Sequence, residues 1–435
     1  MITQFVTYKH QYFLFVTFLL LLGGSVGFAQ TAPEQAAAPA TLGRNDGPQE
    51  DSRTPTSRTA TAAPTGFDFQ TNGFVDQATM DEARLDFAEV ETPEDGLGPV
   101  FNDNSCAACH QSPLTGGGSS VRELRAGRFD GTRFIEHPGG SLIQSRAIDP
   151  AIQEQPLPEY TVRAQRLSTN LFGLGYIEAV SNLTLAGIAL RQRALSGGRI
   201  AGEIIRVNVL EASGRTRSGR FGWKNQHASL LSFSADAYLN EMGITSPLLP
   251  VENTSNGASV KAFDSVTDPE DADGTSIRNF ATFIRSLKAP PRDTVLAATE
   301  DAREGAQVFE RLGCELCHVS TLTTVPAGTR INGGTFVVPP ALGDKIIRPY
   351  SDFLLHDIGT GDGIVQNGGP STRNKIRTVP LWGLRTRERL MHDGESLTRA
   401  AAISRHGGEA AFAGESYRRL PERQKTLLEA FLRSL

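Results

Sequence analysis

Apolar residues recur at three- and four-residue steps in two segments of this chain, Ile277-Arg-Asn-Phe280-Ala-Thr-Phe283-Ile284-Arg-Ser-Leu287 and Leu427-Leu428-Glu-Ala-Phe431-Leu432-Arg-Ser-Leu435. That spacing predicts an amphipathic helix in each. Between them Ala302, Gly305, Phe309 and Gly313 also fall at helical spacing. A helix lined with such small residues admits a close neighbour, and the 427–435 stripe is the expected one. Pro290-Pro291 breaks the chain between two halves. The halves share a coarse repeat. Gly173, in Ser168-Thr-Asn-Leu-Phe-Gly-Leu174, lies 63 residues after His110, and Gly383, in Thr378-Val-Pro-Leu-Trp-Gly-Leu384, lies 65 after His318. The first half is longer by a polar, Gly-rich stretch near 195–265, read as an insertion. At the N-terminus Lys9 and His10 precede an apolar run from Tyr12 to Leu22, and Gly27 and Ala29 supply the small residues of a signal-peptidase site. Residues 1–29 therefore read as a signal peptide, an uncleaved anchor being the alternative; the run is short for a membrane span, which takes about 20 residues. Residues 30–65, rich in Ala, Thr, Pro and Gln with few large apolar side chains, are expected to form a disordered linker.

Chemistry enters with the cysteines. All four lie in two copies of one pentapeptide, Cys106-Ala-Ala-Cys109-His110 and Cys314-Glu-Leu-Cys317-His318. Cys-x-x-Cys-His is the attachment pattern of c-type haem: the thiols bond the vinyl groups and the His ligates the iron. A structural zinc site or two dithiols would also use paired cysteines, but neither requires a His after the second Cys. With only eight His in 435 residues, finding one after both pairs by chance is on the order of one in a few thousand. Two covalently attached c-type haems are expected. Such haems are attached after export in bacteria, in keeping with the signal peptide and a periplasmic mature chain without a transmembrane span. The expected fold is mainly α: two class I cytochrome c-like helical domains, loop-rich, at 67–290 and 295–435, the insertion in the first. Gly (44) and Pro (24) are plentiful and aromatics only 7%, which suits loops wrapped on large cofactors. The net charge of −5, with no basic stripe, argues against a nucleic-acid partner.

Longer strings carry a resemblance. Gly96-Leu-Gly-Pro-Val-Phe-Asn-Asp-Asn-Ser-Cys-Ala-Ala-Cys-His110, Arg220-Phe-Gly-Trp-Lys224, Met242-Gly-Ile-Thr-Ser246, Asp352-Phe-Leu-Leu-His-Asp-Ile-Gly359, Arg377-Thr-Val-Pro-Leu-Trp-Gly-Leu384, Leu390-Met-His-Asp-Gly394 and His406-Gly-Gly-Glu-Ala410 span most of residues 67–435. Together they resemble the bacterial di-haem cytochrome c peroxidase superfamily, and within it the di-haem oxidoreductases also labelled thiol oxidoreductases. No cysteine is free for thiol chemistry. The resemblance implies one haem that is open or can be opened to peroxide and a second that stores and delivers electrons.

Candidate residues follow. His110 and His318 are the proximal iron ligands. The segment after the His-Asp-Gly string, where the resembled peroxidases place the second haem's distal ligand, holds no Met beyond Met391 but does hold His406. A His318/His406 pair is expected, a helix-capping surface His being the alternative. His392 reads as a propionate-contacting residue and His356 as a further haem contact, or each as an ordinary buried His. For the first haem, His137, His227 and Met242 are weaker ligand candidates. Glu178, in an apolar pocket with a raised pKa, could shuttle the proton in O–O cleavage, as the distal Glu of the resembled enzymes does. Arg166 could hold propionates or polarise the peroxide, and Trp223 or Trp382 could stand between the haems. The implied activity is reduction of hydrogen peroxide or another small oxidant with electrons from a periplasmic donor such as a small cytochrome. A purely electron-transferring di-haem cytochrome and a di-haem oxygenase or protein-modifying oxidase are the alternatives. Calcium, known between the domains of such peroxidases, has only the suggestive Asp357-Ile-Gly-Thr-Gly-Asp362-Gly string here.

Overall fold

The computed structural model describes residues 59–435. The expected signal peptide and the linker up to residue 58 lie outside the described residues. In chain order the elements that position the site are β1 (Thr61–Ala62), α1 (Gln77–Ala88), β2 (Arg122–Phe129), β3 (Phe134–Glu136), β4 (Val162–Leu167), α2 (Asn182–Leu195) and α3 (Leu230–Met242). Then follow α4 (Thr275–Ser286), α5 (Glu300–Arg311), β5 (Leu322–Thr323), β6 (Lys345–Ile347), β7 (Leu355–His356), β8 (Ile376–Arg377), α6 (Arg399–Ser404), α7 (Ala411–Arg418) and α8 (Glu422–Arg433). Helices and loops dominate. The sheets are small: β3-β2-β4 is antiparallel, β6 pairs β1 in parallel and β5 antiparallel, and β7 pairs β8.

Both periodic segments are helices, and each buries the face its spacing defines. In α4, Ile277, Phe280, Phe283 and Ile284 are buried against Met80, Ala83 and Phe87 of α1. The Phe87 ring lies 5.0 Å from Phe283 and 6.0 Å from Phe280. Each such side chain removed from water stabilises the fold by about 1.5–3 kcal/mol. The α5–α8 pair meets as the small-residue spacing anticipates. A Cβ on Gly305 would lie 2.0 Å from the Leu427 carbonyl oxygen, so only glycine lets the two backbones approach. Phe309 and Phe431 then stack at 5.2 Å, and α5 runs directly into Cys314.

Three expectations are corrected. The linker does not extend to residue 65: β1 pairs with β6, Ala63 N donates to Ile346 O at 2.9 Å, and Ala63 is buried. This tethering is made by backbone, which side-chain composition does not report. Residues 195–265 are no appended insertion. They contain α3, which packs on α4 and buries Leu230, Ala235, Tyr238 and Met242. Their polarity is internal, with Arg217, Arg220, Lys224 and Asn225 all buried and hydrogen-bonded. The boundary expected near 290 is also crossed by packing, since one hydrophobic cluster holds Phe172, Phe280 and Phe283 together with Leu322, Val338, Ile347, Phe353 and Trp382. Among the described residues no helix is long and apolar enough to cross a membrane.

Candidate functional site

The second pentapeptide opens onto a cavity of about 880 Å³ lined by Cys314, Cys317, His318, His356, Arg377, Arg387, His392 and His406. That is the upper end of the range for cofactor-sized sites, roughly 300–1,000 Å³. Across it His318 faces His406, their ring centroids 6.5 Å apart. Two imidazoles on opposite faces of one metal, each nitrogen about 2 Å from it, have centroids about 6–6.5 Å apart. Each ring also has one nitrogen fixed by a backbone carbonyl: His318 Nδ1 on Tyr350 O at 3.0 Å and His406 Nδ1 on Ala402 O at 2.9 Å. With the proton on Nδ1, the Nε2 lone pair is left for a metal, the usual way a protein orients a ligating His. Burial, and then the neighbouring His406, push His318 down to about 4; burial also lowers His406. Both rings are neutral at physiological pH, as ligation requires. His406 is therefore no exposed cap; it is largely enclosed beneath α6, although its Nδ1 contact does close that helix.

The charges around this cavity fit a dianionic porphyrin. Arg377, on β8, and Arg387 line it without a carboxylate partner among the described residues. Arg377 Nε donates to Gly222 O, and Arg387 Nη2 donates to the carbonyls of Pro380 and Trp382. Burial lowers each to about 10, and for Arg377 the nearby Arg387 adds to it. Asp352 offsets part of the charge on the buried Arg377, and with the half-buried Arg387 beside it the pair still favours anionic groups here, which the propionates would supply. His392 Nδ1 is buried with no hydrogen-bond partner, a further polar atom that a propionate would satisfy. These arginines are what the sequence reading missed; Arg377 opens one of the strings it quoted, yet nothing local marks it as buried.

Around the first pentapeptide, His110 Nδ1 contacts Gly117 O at 3.1 Å, the same orientation as at His318. No second imidazole faces it among the described residues. His137 has both nitrogens engaged, Nδ1 with Pro138 O and Nε2 accepting from Leu157 N. His227 Nε2 is paired with Asp236 at 3.1 Å. Met242 lies beside Cys106, sulfur to sulfur 3.9 Å. The four thiols do not converge on one zinc-like cluster among the described residues. Burial pushes Cys106, Cys109 and Cys314 up to about 12 and raises Cys317. A reactive dithiol has the opposite shift, so redox-dithiol chemistry and the "thiol" label find no support.

A family model described as "Di-haem oxidoreductase, putative peroxidase" matches residues 150–435. The chain belongs to this family. The match contains the second pentapeptide and the His406 segment; the first pentapeptide precedes it. A search of curated proteins returned no match. Among solved structures the chain is similar to hydrazine synthase of Kuenenia stuttgartiensis pressurised with xenon, at 13% identity over 94% of this chain and 100% of that one, with a TM-score of 0.40. It is similar also to a MauG-like protein associated with microbial copper homeostasis, at 15% identity over 88% of this chain and 95% of that one, again with a TM-score of 0.40. As a di-haem oxidoreductase, the chain uses haem and performs redox chemistry.

Two residues expected to act on substrate in this di-haem oxidoreductase are placed elsewhere by the fold. Glu178 is fully buried and accepts from Arg285 Nε (2.7 Å) and Nη2 (2.9 Å), Leu230 N (2.8 Å) and Asn332 Nδ2 (2.9 Å). Burial alone would raise its pKa, but Arg285 outweighs burial and holds it low. It touches the first residue of α3, whereas Cys106 touches the last, about 18 Å away along the helix. In this structure the Glu178 carboxylate is committed to Arg285, Leu230 and Asn332. Arg166 is likewise committed, to Asp362 at 2.6 Å and to Gln366, with Lys224 Nζ on the same Asp362 at 3.0 Å. His356 lines the cavity, with its nitrogens on Asp352 and Glu409 at 2.9 and 2.8 Å. Trp223 donates Nε1 to Leu167 O at 2.7 Å and sits 6.1 Å from His392, while Trp382 packs over Gly173 in the core.

The Arg166–Asp362–Lys224 group makes a testable stability statement. Burial raises the Asp362 carboxyl, but Arg166 and then Lys224 more than reverse this and leave it at about 2. Against about 3.9 unfolded, a depressed carboxylate pKa contributes about 2–3 kcal/mol above pH 4, lost as pH falls from about 4 to about 2. Asp362→Asn is expected to lower the unfolding free energy by that amount at pH 7, seen as a lower urea midpoint with an unchanged slope, and to flatten the acid limb. An unchanged midpoint rules the ion cluster out as a source of stability.

Proposed function

We propose that the chain carries two covalently attached c-type haems, on Cys106/Cys109/His110 and Cys314/Cys317/His318, and that it reduces hydrogen peroxide in the periplasm. Peroxide, two electrons and two protons give two waters; the electrons come from a small donor protein, which is oxidised. The haem iron supplies the redox centre, binding peroxide where a coordination position is open and passing electrons where two protein ligands fill it. The observation that supports this reading is the asymmetry of the two motifs: His318 has a facing imidazole, and among the described residues His110 has none. On this reading turnover takes place at the first site and electron delivery at the second.

The chain's own groups supply the rest. In place of Glu178, we assign proton transfer to Glu241, at the end of α3 next to Met242 and Cys106. Burial, followed by the Glu123 carboxylate, pushes Glu241 well above the ordinary carboxylate range, and it accepts a hydrogen bond from Asn102. A carboxyl raised in this way can both take and return a proton near neutral pH. Between the motifs runs the segment Leu167–Thr169. Ser168 lies beside Cys109 and Thr169 beside His110, while Leu167 receives the Trp223 indole N–H and donates its own N–H to His392 O. Trp223 and this segment form a bonded route between the two sites. The test is carbon monoxide titration of the reduced protein with a peroxide assay. One carbon monoxide per two haems is expected, and Glu241→Gln should slow peroxide reaction about 100-fold without changing that ratio. No binding at either iron means a plain electron carrier; an unaffected Glu241→Gln removes this carboxyl from the chemistry.

A further inference from the structure

Helix α2 leaves three leucines in water. Leu183 and Leu190, one heptad apart, are 69% and 71% exposed, and Leu195 at its end is 60% exposed. The inward face packs Leu185, Ile188 and Ala189 on the core and carries the polar Gln192. Gln192 has a task there: its Nε2 donates to Leu316 O, between the two cysteines of the second pentapeptide, at 2.7 Å. The apolar stripe is thereby fastened to the thioether side of the second haem site. Leu195 also lines the mouth of that cavity, as does Phe412 of α7, 61% exposed and covered by the Arg199 guanidinium at 5.7 Å. Apolar side chains gathered this way on an otherwise polar surface mark a contact site.

The charge around the stripe is one-sided. From 182 to 200 the chain has three exposed arginines, Arg191, Arg193 and Arg199, and no Asp or Glu, on a protein whose net charge is −5. Glu315, in the pentapeptide loop, is an exposed carboxylate nearby, and Glu388 is another in the cavity lining. We propose that this surface docks a small electron-transfer protein that presents an apolar patch with an acidic rim, and so is the port through which electrons enter. The proposal rests on the reading of the second haem as the electron-delivering one. One electron leaves the reduced partner and one arrives at the second iron, ferric becoming ferrous, with no proton or atom exchanged. A small apolar contact steered by opposite charge suits such encounters, which bury little area and dissociate fast.

The test uses the full haem-loaded protein and the variant Leu190→Glu/Arg193→Glu, both changes being on exposed side chains outside the cavity. Reduced monohaem cytochromes c, one acidic and one basic, serve as donors in stopped-flow mixing, with dithionite as a small-molecule control. The acidic donor is expected to react faster than the basic one and to slow as salt rises from about 0.01 to 0.15 M. In the variant its rate should fall at least about 10-fold, while dithionite reduction and the absorption spectrum stay unchanged. An unchanged rate, or a faster basic donor, overturns the docking assignment. So does sedimentation showing a wild-type dimer that the variant dissociates, since the stripe would then cover a second copy of the chain. If dithionite reduces no haem in the cavity of the second motif, the underlying reading fails instead.

Discussion

Replacing His406 with alanine is expected to turn the second haem from six-coordinate and low-spin to five-coordinate and high-spin, and to raise carbon monoxide uptake from one to two per chain. The argument is geometric. His318 and His406 stand at the centroid separation of an imidazole pair on one metal, and each has its Nδ1 fixed on a carbonyl so that Nε2 points inward. Removing one ring leaves a position beside Ala402, Ile403 and Gly414; Met391 and His392 also line the cavity, so their failure to replace it is part of the expectation. A second substitution separates ligation from packing: His406→Met should keep the haem low-spin and carbon monoxide-resistant but raise its reduction potential, because a thioether favours ferrous iron more than imidazole does. A low-spin spectrum that survives His406→Ala would show that another group holds the iron. Either way the thermal stability should move little, since His406 makes one hydrogen bond to its own helix.

How far the chain could be read in advance depended on the range of the interaction involved. The pentapeptides are local, and so are the α4 and α8 stripes, whose 3.6-residue period shows in the string itself. The close α5–α8 approach was visible too, because a small residue at Gly305 leaves the same signature whatever lies opposite. Pairings across long stretches of sequence left no such trace. Glu178 looked like an acid in an apolar pocket because its neighbours Tyr176, Ile177 and Ala179 are apolar; the guanidinium that claims it is 107 residues away. Arg166 was ambiguous for the same reason, Asp362 being 196 residues downstream. The polar stretch 195–265 read as an insertion, since composition cannot distinguish a solvated arginine from one buried against carbonyls. Its Arg217 reaches Asn332, 115 residues on. The tether at residues 61–63 is made mainly by backbone, which every residue carries.

The Glu178–Arg285 pair gives the largest stability effect expected here. Glu178→Gln keeps the side chain's shape, and its amide oxygen can still accept from Leu230 N and Asn332 Nδ2. The new NH₂ group, however, faces the Arg285 Nε–H that Oε2 now receives at 2.7 Å. A buried guanidinium is left with no anion and one opposed donor; its stacking over Phe336 at 4.2 Å recovers only part of that. Breaking a buried pair in this way costs about 3–5 kcal/mol, a Tm decrease of roughly 5 °C or more. The pH dependence has a definite sign. Glu178 is depressed in the folded state, so its contribution is complete above the unfolded value of about 4.3 and is lost as pH falls through the folded one. The variant should therefore lose most stability at neutral pH and have a shallower acid transition than wild type. Per folded molecule, its carbon monoxide ratio and peroxide rate should match wild type, in contrast to Glu241→Gln. Removing both charges, as Glu178→Leu/Arg285→Met, should restore part of the loss, because no unpaired ion then remains in the core. A Glu178→Gln protein with unchanged Tm and abolished peroxide chemistry would return this carboxylate to the reaction and displace Glu241 from it.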